Sequence, residues 1–305
     1  MGMGAVLARA ACFIAIIILG YSLRKIDFFH EGDFQVLSKI VLKITLPAAI
    51  VVNFSSMELS PSMLVISLIG FCCSGLYVVL AILMNLRNSK ERQAFEIINL
   101  TAYNIGNFTL PFVQNFLGPV GVVVTSLFDT GNAVVCLGGA YSVASIVKGD
   151  NGGISLKNIL KPLLSSVPFD TYLIMTALCL LHLHLPEPVV SFAGIISNAN
   201  AFMAMLMIGV GFKLSGDREQ MGAIVRILLV RYGTAAALAL ACYFLIPFPL
   251  EYRQTLAILT FAPIASAAPA FTASLKGDIG LSSAINSMSI VISIFCIVGV
   301  LGIVL

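Results

Sequence analysis

AFEIINLTAYNIGNFTLPFVQNFL, residues 94–117, is long and apolar enough to cross a bilayer, yet Asn104, Gly106, Asn107 and Pro111 sit at its centre. Gly106 admits unusual backbone dihedrals, and Pro111 lacks an N–H and clashes with the preceding turn. A second stretch, QTLAILTFAPIASAAPAFTASLK at residues 254–276, carries Pro263 and Pro269 in the corresponding place. In lipid every freed backbone group is costly. Irregular backbone at membrane depth is therefore tolerated only where it is buried in protein or lines a cavity. Two interrupted spans at matching places in two halves of a chain point to the binding site of a transporter.

The rest of the chain sets these two stretches in a membrane. Of 305 residues, 59% are hydrophobic and 10% charged, and the mean hydropathy is +1.03. So little polar surface implies a polytopic membrane protein. A net charge of +3 gives no reason to expect nucleic acid. Cysteines 12, 72, 73, 136, 179, 242 and 296 all lie in apolar stretches without a CxxC pair, so they read as small hydrophobes, not as disulfides or metal ligands. The first residues lack the basic flank and the cleavage site expected of a signal peptide.

A span needs roughly 20 apolar residues. Ten stretches qualify: 3–23, 34–56, 62–86, 94–117, 120–147, 168–185, 188–212, 221–246, 252–276 and 280–304. Connections one, three, five, seven and nine carry Arg24, Lys25, Arg87, Lys90, Arg92, Lys148, Lys157, Lys161, Lys213, Arg218 and Lys276. The even-numbered connections carry Arg253 alone. The positive-inside rule places the odd connections in the cytoplasm and both termini outside, in a plasma (inner) membrane.

The longest connection, 148–167, is a cytoplasmic linker between five spans (1–147) and five more (168–305). An odd number of spans reverses the second copy, so a duplication here is inverted. Span four opens with Arg92-Gln93 and ends at Gly118; span nine opens with Arg253-Gln254 and ends at Gly277. Spans two and seven end alike, in Glu58-Leu59-Ser60 and Lys213-Leu214-Ser215.

An opened helix presents bare N–H groups at a positive dipole end, which suits a carboxylate. Asn104 and Asn107 share a face if their segment is helical, and Ser266 is the nearest polar residue in the second break. Two breaks crossing at the bilayer middle would aim both half-helices at one point. The plainer alternative is a pair of proline kinks with small residues for helix packing. Asp129, in span five, is about nine residues from the outer end, some 13 Å deep. An intramembrane carboxyl is a functional hypothesis by default, and because it can be neutral or charged it is the candidate for proton coupling. Asn132 lies one turn away on the same face. Asp129 could instead be structural, paired with a lysine or capping the broken helix. Lys43, in span two, is at comparable depth and is a possible partner, though snorkelling or another structural contact is the alternative. Arg231, deep in span eight, could attract an anion or bond to neighbouring carbonyls, while Arg226 reads as interfacial. His182 and His184 fall on different helix faces and read as surface residues. HExxH, GxSxG, P-loop and dinucleotide signatures are missing, so neither an enzyme nor a cofactor is expected.

GYSLRKIDFF (20–29), LSKIVLKITLPAAIVVNF (37–54), NIGNFTLPF (104–112), FDTGN (128–132) and LTFAPIASAAPAF (259–271) resemble the auxin efflux carrier family, which includes plant PIN-type carriers and prokaryotic permeases. The resemblance implies two inverted five-helix repeats, with helices four and nine broken and crossing at prolines. It maps Asn104, Asn107 and Pro111 to the first crossing and Pro263 and Pro269 to the second. It also implies a dimerising scaffold of spans one, two, six and seven, with the remainder moving as a transport domain. The chain departs from the plant members in its short central loop, in having no Asn at the second crossing, and in Lys43. The family extends to dicarboxylates such as malate and malonate. The reading is an all-α polytopic transporter for a small organic anion, working by elevator-type alternating access as a homodimer. The alternatives are a sodium-coupled symporter of the related bile-acid type and a receptor or scaffold without transport.

Overall fold

In lipid the backbone must satisfy its own hydrogen bonds, and this chain does so as helix. The computed structural model describes residues 3–30, 32–149, 156–212 and 220–304. Among them there is no β-strand.

α1 (Met3–Lys25) closes on Arg24 and Lys25, cations at the negative end of the helix dipole. α2 (Asp33–Ile40) runs through a π-helical turn, Val41–Thr45, into α3 (Leu46–Ser55). A 3-10 turn at Pro61–Leu64 opens α4 (Val65–Asn85). Ser89 caps α5 (Lys90–Leu100) by accepting from the Arg92 N–H at 3.3 Å. A non-helical gap follows, then a π-turn, Ile105–Thr109, and α6 (Leu110–Phe116). Gly118 turns the chain at φ +61°. α7 (Gly118–Val134), a third π-turn (Val135–Gly139) and α8 (Ala140–Lys148) then form one long rod. The second half comprises α9 (Leu156–Leu163), α10 (Val167–Leu180), α11 (Glu187–Ser197), α12 (Asn200–Gly211), α13 (Met221–Phe244), α14 (Leu250–Leu259), α15 (Ala268–Ser274) and α16 (Ile279–Val304).

Seven continuous stretches are long and apolar enough to span: Leu7–Lys25, Asp33–Ser55, Pro61–Asn85, Gly118–Lys148, Glu187–Gly211, Met221–Phe244 and Ile279–Val304. The other three expected spans take different forms. α10 has 14 residues, about 21 Å at 1.5 Å per residue. The remaining two are α5 with α6, and α14 with α15, each interrupted as expected. The interruptions, however, lie ahead of Pro111 and Pro269. Pro269 falls in the first two residues of the resuming helix, where the missing N–H costs nothing and the fixed φ favours helix. Pro111 directly follows the π-turn Ile105–Thr109, with which helix has already resumed. Pro263 alone of the three sits within a gap. The Lys213-Leu214-Ser215 likeness and Arg218 lie outside the described residues.

The most extensive helix contacts fall into two groups, which are joined where α3 and α10 meet α7 and α1 meets α16. α1 and α2 pack on α12, and α3 packs on α10 and α11. In the second group α4 packs on α5 and α7, α5 on α8 and α15, α13 on α14, and α15 on α16. α4 and α7 approach so closely that a Cβ on Gly131 would fall 1.8 Å from the Ser67 carbonyl oxygen. Only glycine permits that contact.

Candidate functional site

The two gaps cross. Tyr103 and Ile264 form an isolated antiparallel bridge, and the Asn104 N–H donates to the Pro263 carbonyl at 2.9 Å. Tyr103 and Ile264 stand 161 residues apart, the same spacing as Arg92 and Arg253. Each opened backbone is then satisfied by an intact helix behind it. Asn132 Oδ1 accepts from the Tyr103 N–H at 3.0 Å, and its Nδ2 donates to the Tyr103 carbonyl at 3.0 Å. On the other side Ser289 Oγ accepts from the Ile264 N–H at 3.1 Å, and Asn286 Nδ2 donates to the Ile264 carbonyl at 2.9 Å. Asp129 to Asn286 and Asn132 to Ser289 are both steps of 157.

Asp129 points inward. Its Oδ1 accepts from Asn132 Nδ2 at 2.8 Å and its Oδ2 from the Tyr172 hydroxyl at 3.1 Å. The possible Lys43 pair does not form. Lys43 lies on the exposed flank of its π-turn beside Ile44, turned away from the interior that holds Asp129. Gly106 brings the chain against this carboxyl: a Cβ there would be 3.7 Å from Asp129 Oδ2 and 3.1 Å from Leu46 Cδ2.

Two cavities reach the crossing. One, of about 200 Å³, is walled by Leu46, Asp129, Asn132, Cys136, Phe169 and Tyr172. The other, of about 310 Å³, is walled by Arg24, Gln35, Gly211, Pro269, Ser283 and Asn286. Asn104, Asn107 and Ser266 line both. The Asn104 side chain is 7% exposed and makes no hydrogen bond to a described residue. Asn107 Nδ2 donates to Ser266 Oγ at 3.3 Å, while its Oδ1 is buried without a partner. Pro269 lines the larger cavity, whereas Pro111 and Pro263 line neither. Pro263 acts through its carbonyl, as the acceptor for Asn104.

Behind the crossing lies Arg231, fully buried. It makes the expected carbonyl bonds: Nη1 donates to Leu100 O at 2.9 Å and Nη2 to Ala262 O at 3.1 Å. Its guanidinium lies over the rings of Tyr77 and Tyr103, 4.2 and 4.3 Å from their centroids. Desolvated contacts of this kind are worth about 2 kcal/mol. Arg226 pairs with Glu96, which is 3% exposed and also bonds Arg92 and Asn85. Asp129 is therefore not alone as an acid buried within the expected spans. His182 and His184 are exposed. The described residues contain no cluster of three His, Cys, Asp or Glu suited to a metal.

Tyr172, Asn286 and Ser289 were not singled out from the sequence. Tyr172 follows Asp170 and Thr171, and Asn286 and Ser289 sit among Ser282, Ser283, Ser287 and Ser293, with nothing local to mark which of these polar residues serves the crossing. The step of 157 from Asp129 and Asn132 was the available signal.

An all-helical chain with bilayer-length helices, two broken segments crossing and cavities meeting at the crossing defines an integral membrane transport protein. Residues 6–147 match the model of the membrane transport protein family, which takes in the auxin efflux carriers and their prokaryotic relatives. Over those residues, a little under half of the chain, the resemblance is borne out. No individual curated protein matches it.

Proposed function

We propose that this protein is a secondary transporter or facilitator for a small organic anion, working by alternating access of elevator type. The observation that carries the reading is the convergence of two cavities on Asn104, Asn107 and Ser266 where the helix reopens at Ile105. A helix start offers free N–H groups and a positive dipole end to a carboxylate. Amide and hydroxyl side chains add donors that fit the same group.

In this reading the ten spans form two inverted repeats. The equal spacings of the bridge pair and of the two Arg-Gln pairs support that arrangement. The first packing group is a scaffold that dimerises, and the second is the moving domain. The larger cavity opens beside Arg24 at the end of α1, the start of α2 and the end of α12, and the smaller beside the start of α10. The charge asymmetry assigns these ends to the cytoplasm, so in this reading the conformation faces the cytoplasm, with both termini outside. The opposite side is closed by polar contacts of α6, which packs on α7, with α1, α11 and α12. Arg9 donates to the Asn115 carbonyl at 2.8 Å. Gln114 bonds Ser197 and Asn200, each at 3.3 Å. Asp129 is the proton-coupling residue, and the membrane is the plasma (inner) membrane.

The test is flux of radiolabelled small carboxylates into proteoliposomes, preceded by a thermal-shift screen, since a ligand of the native state raises its melting temperature. Saturable uptake is the expected result. A folded protein that moves none of a broad panel of carboxylates would remove the reading.

A further inference from the structure

The crossing has a negative pole as well as a positive one. α5 ends at Leu100, where no N–H of the described backbone caps the Leu100 carbonyl, and beyond the end of α14 at Leu259 the unwound backbone presents the Ala262 carbonyl at the gap. Unwound carbonyls and half-helix C-terminal ends are where transporters hold a coupling cation. Here that place is taken. Leu100 O and Ala262 O accept from the two terminal nitrogens of Arg231. The rings of Tyr77 and Tyr103 cover the faces of the guanidinium. Among the described residues no carboxylate pairs with it. Asp129 is held by Asn132 and Tyr172, and Glu96 by Arg92, Arg226 and Asn85. Carbonyl oxygens and π faces without an acid are the ligand set of a cation seat.

We propose that Arg231 is a resident cation: its guanidinium fills the carbonyl-lined seat at the crossing that a sodium ion would otherwise need, so the transporter runs without sodium. A second cation entering there would meet both a filled site and a like charge. Arg231 is a positioning residue. It does not line either cavity; it fixes Tyr103, whose backbone pairs with Asn132 next to Asn104. The inference deepens the proposed function in one respect, the identity of the coupling ion, and rests on that reading for the statement about transport. The filled seat itself can be tested without substrate.

The experiment is thermal melting of the full chain in lipid nanodiscs, at equal ionic strength in sodium, potassium or choline chloride, with and without millimolar methylguanidinium chloride. The wild type is expected to melt alike in all of them. Arg231→Ala is expected to melt about 5 °C lower or more in choline, with recovery on adding methylguanidinium. Arg231→Met, which restores bulk without charge, is expected to stay low, and Arg231→Lys to recover part of the loss without responding to sodium. A wild type stabilised by sodium over choline overturns the proposal. So does an Arg231→Met protein as stable as the wild type, or an Arg231→Ala protein indifferent to methylguanidinium. If Arg231→Ala yields no folded protein, the wild-type salts and Arg231→Lys still decide it. None of these readings uses a transported anion, so they fail separately from the flux assay.

Discussion

Asn107 has a buried carbonyl oxygen without a partner, beside an amide nitrogen that reaches Ser266 at 3.3 Å. An unsatisfied buried acceptor costs about 1–3 kcal/mol, so a substrate or a water that donates to it gains the difference. Asn107→Ala is expected to fold and to bind substrate more weakly by about 1–3 kcal/mol, roughly 5- to 150-fold. Isothermal titration or competition uptake would read the loss, and unchanged affinity in the folded variant would exclude Asn107 from the site. Asp129 calls for a different test. In Asp129→Asn the new Oδ1 can still accept from Asn132, and the new Nδ2 can donate to the Tyr172 hydroxyl. Folding is therefore expected to survive, and Lys43 has no part in the outcome because it does not face Asp129. If Asp129 carries the coupling proton, this variant exchanges substrate but loses the pH dependence of net flux between about pH 5 and 8. A wild-type pH profile would leave Asp129 a structural acceptor. At this scale much was legible in the sequence, since polar residues beside helix breakers announce themselves. Asn286 was not, because a lone Asn in a 26-residue apolar helix carries no mark of the backbone it serves.

Among the elements, the prolines teach the most. Pro269 marks where helix resumes, not where it stops, because proline suits the first turn, and Pro111 follows a π-turn with which helix has already resumed at Ile105. The gaps themselves are opened by backbone exchange with Asn132 and with the Asn286–Ser289 pair, which local sequence cannot reveal. The π-turns were equally invisible. All three adjoin the smaller cavity, through Leu42, through Ile105 to Asn107, and through Cys136 and Leu137. Such turns gather at functional sites, where an extra residue re-aims the side chains that follow. Close helix packing sets the frame for these turns. Gly131→Val would force a side chain into the Ser67 carbonyl and the Phe71 N–H, the latter 2.7 Å from the added Cβ. A loss of about 3 kcal/mol is expected from such overpacking, read as lower melting in detergent. Gly222→Ala is the control: its Cβ meets nothing within 4 Å, and its melting is expected to hold or rise. Equal melting of the two variants would show that α4 and α7 do not approach as described.

For the whole molecule the deciding quantity is which ends face which side. The charge asymmetry predicts it from sequence, because translocating Lys and Arg is costly while the apolar spans insert either way up. The fold brings two of these ends together. Arg24, at the end of α1, bonds the Val210 and Phe212 carbonyls at the end of α12, at 2.9 and 3.0 Å. Two expected cytoplasmic ends are thus tied together. Cysteine labelling tests the rest. Ser89 is a poor site because it caps α5, whereas Lys90 is exposed and caps nothing. Glu187 is exposed at the start of α11. Cys12 and Cys72 are exposed and must be replaced first, so the background is a chain freed of its own thiols. Lys90→Cys is expected to react with an impermeant maleimide only from the cytoplasmic side, and Glu187→Cys only from outside. Labelling of both from one side would place an even number of crossings between α5 and α11. Inverted repeats require an odd number there, so the duplication would fall and the alternating-access reading with it, even with the crossing intact.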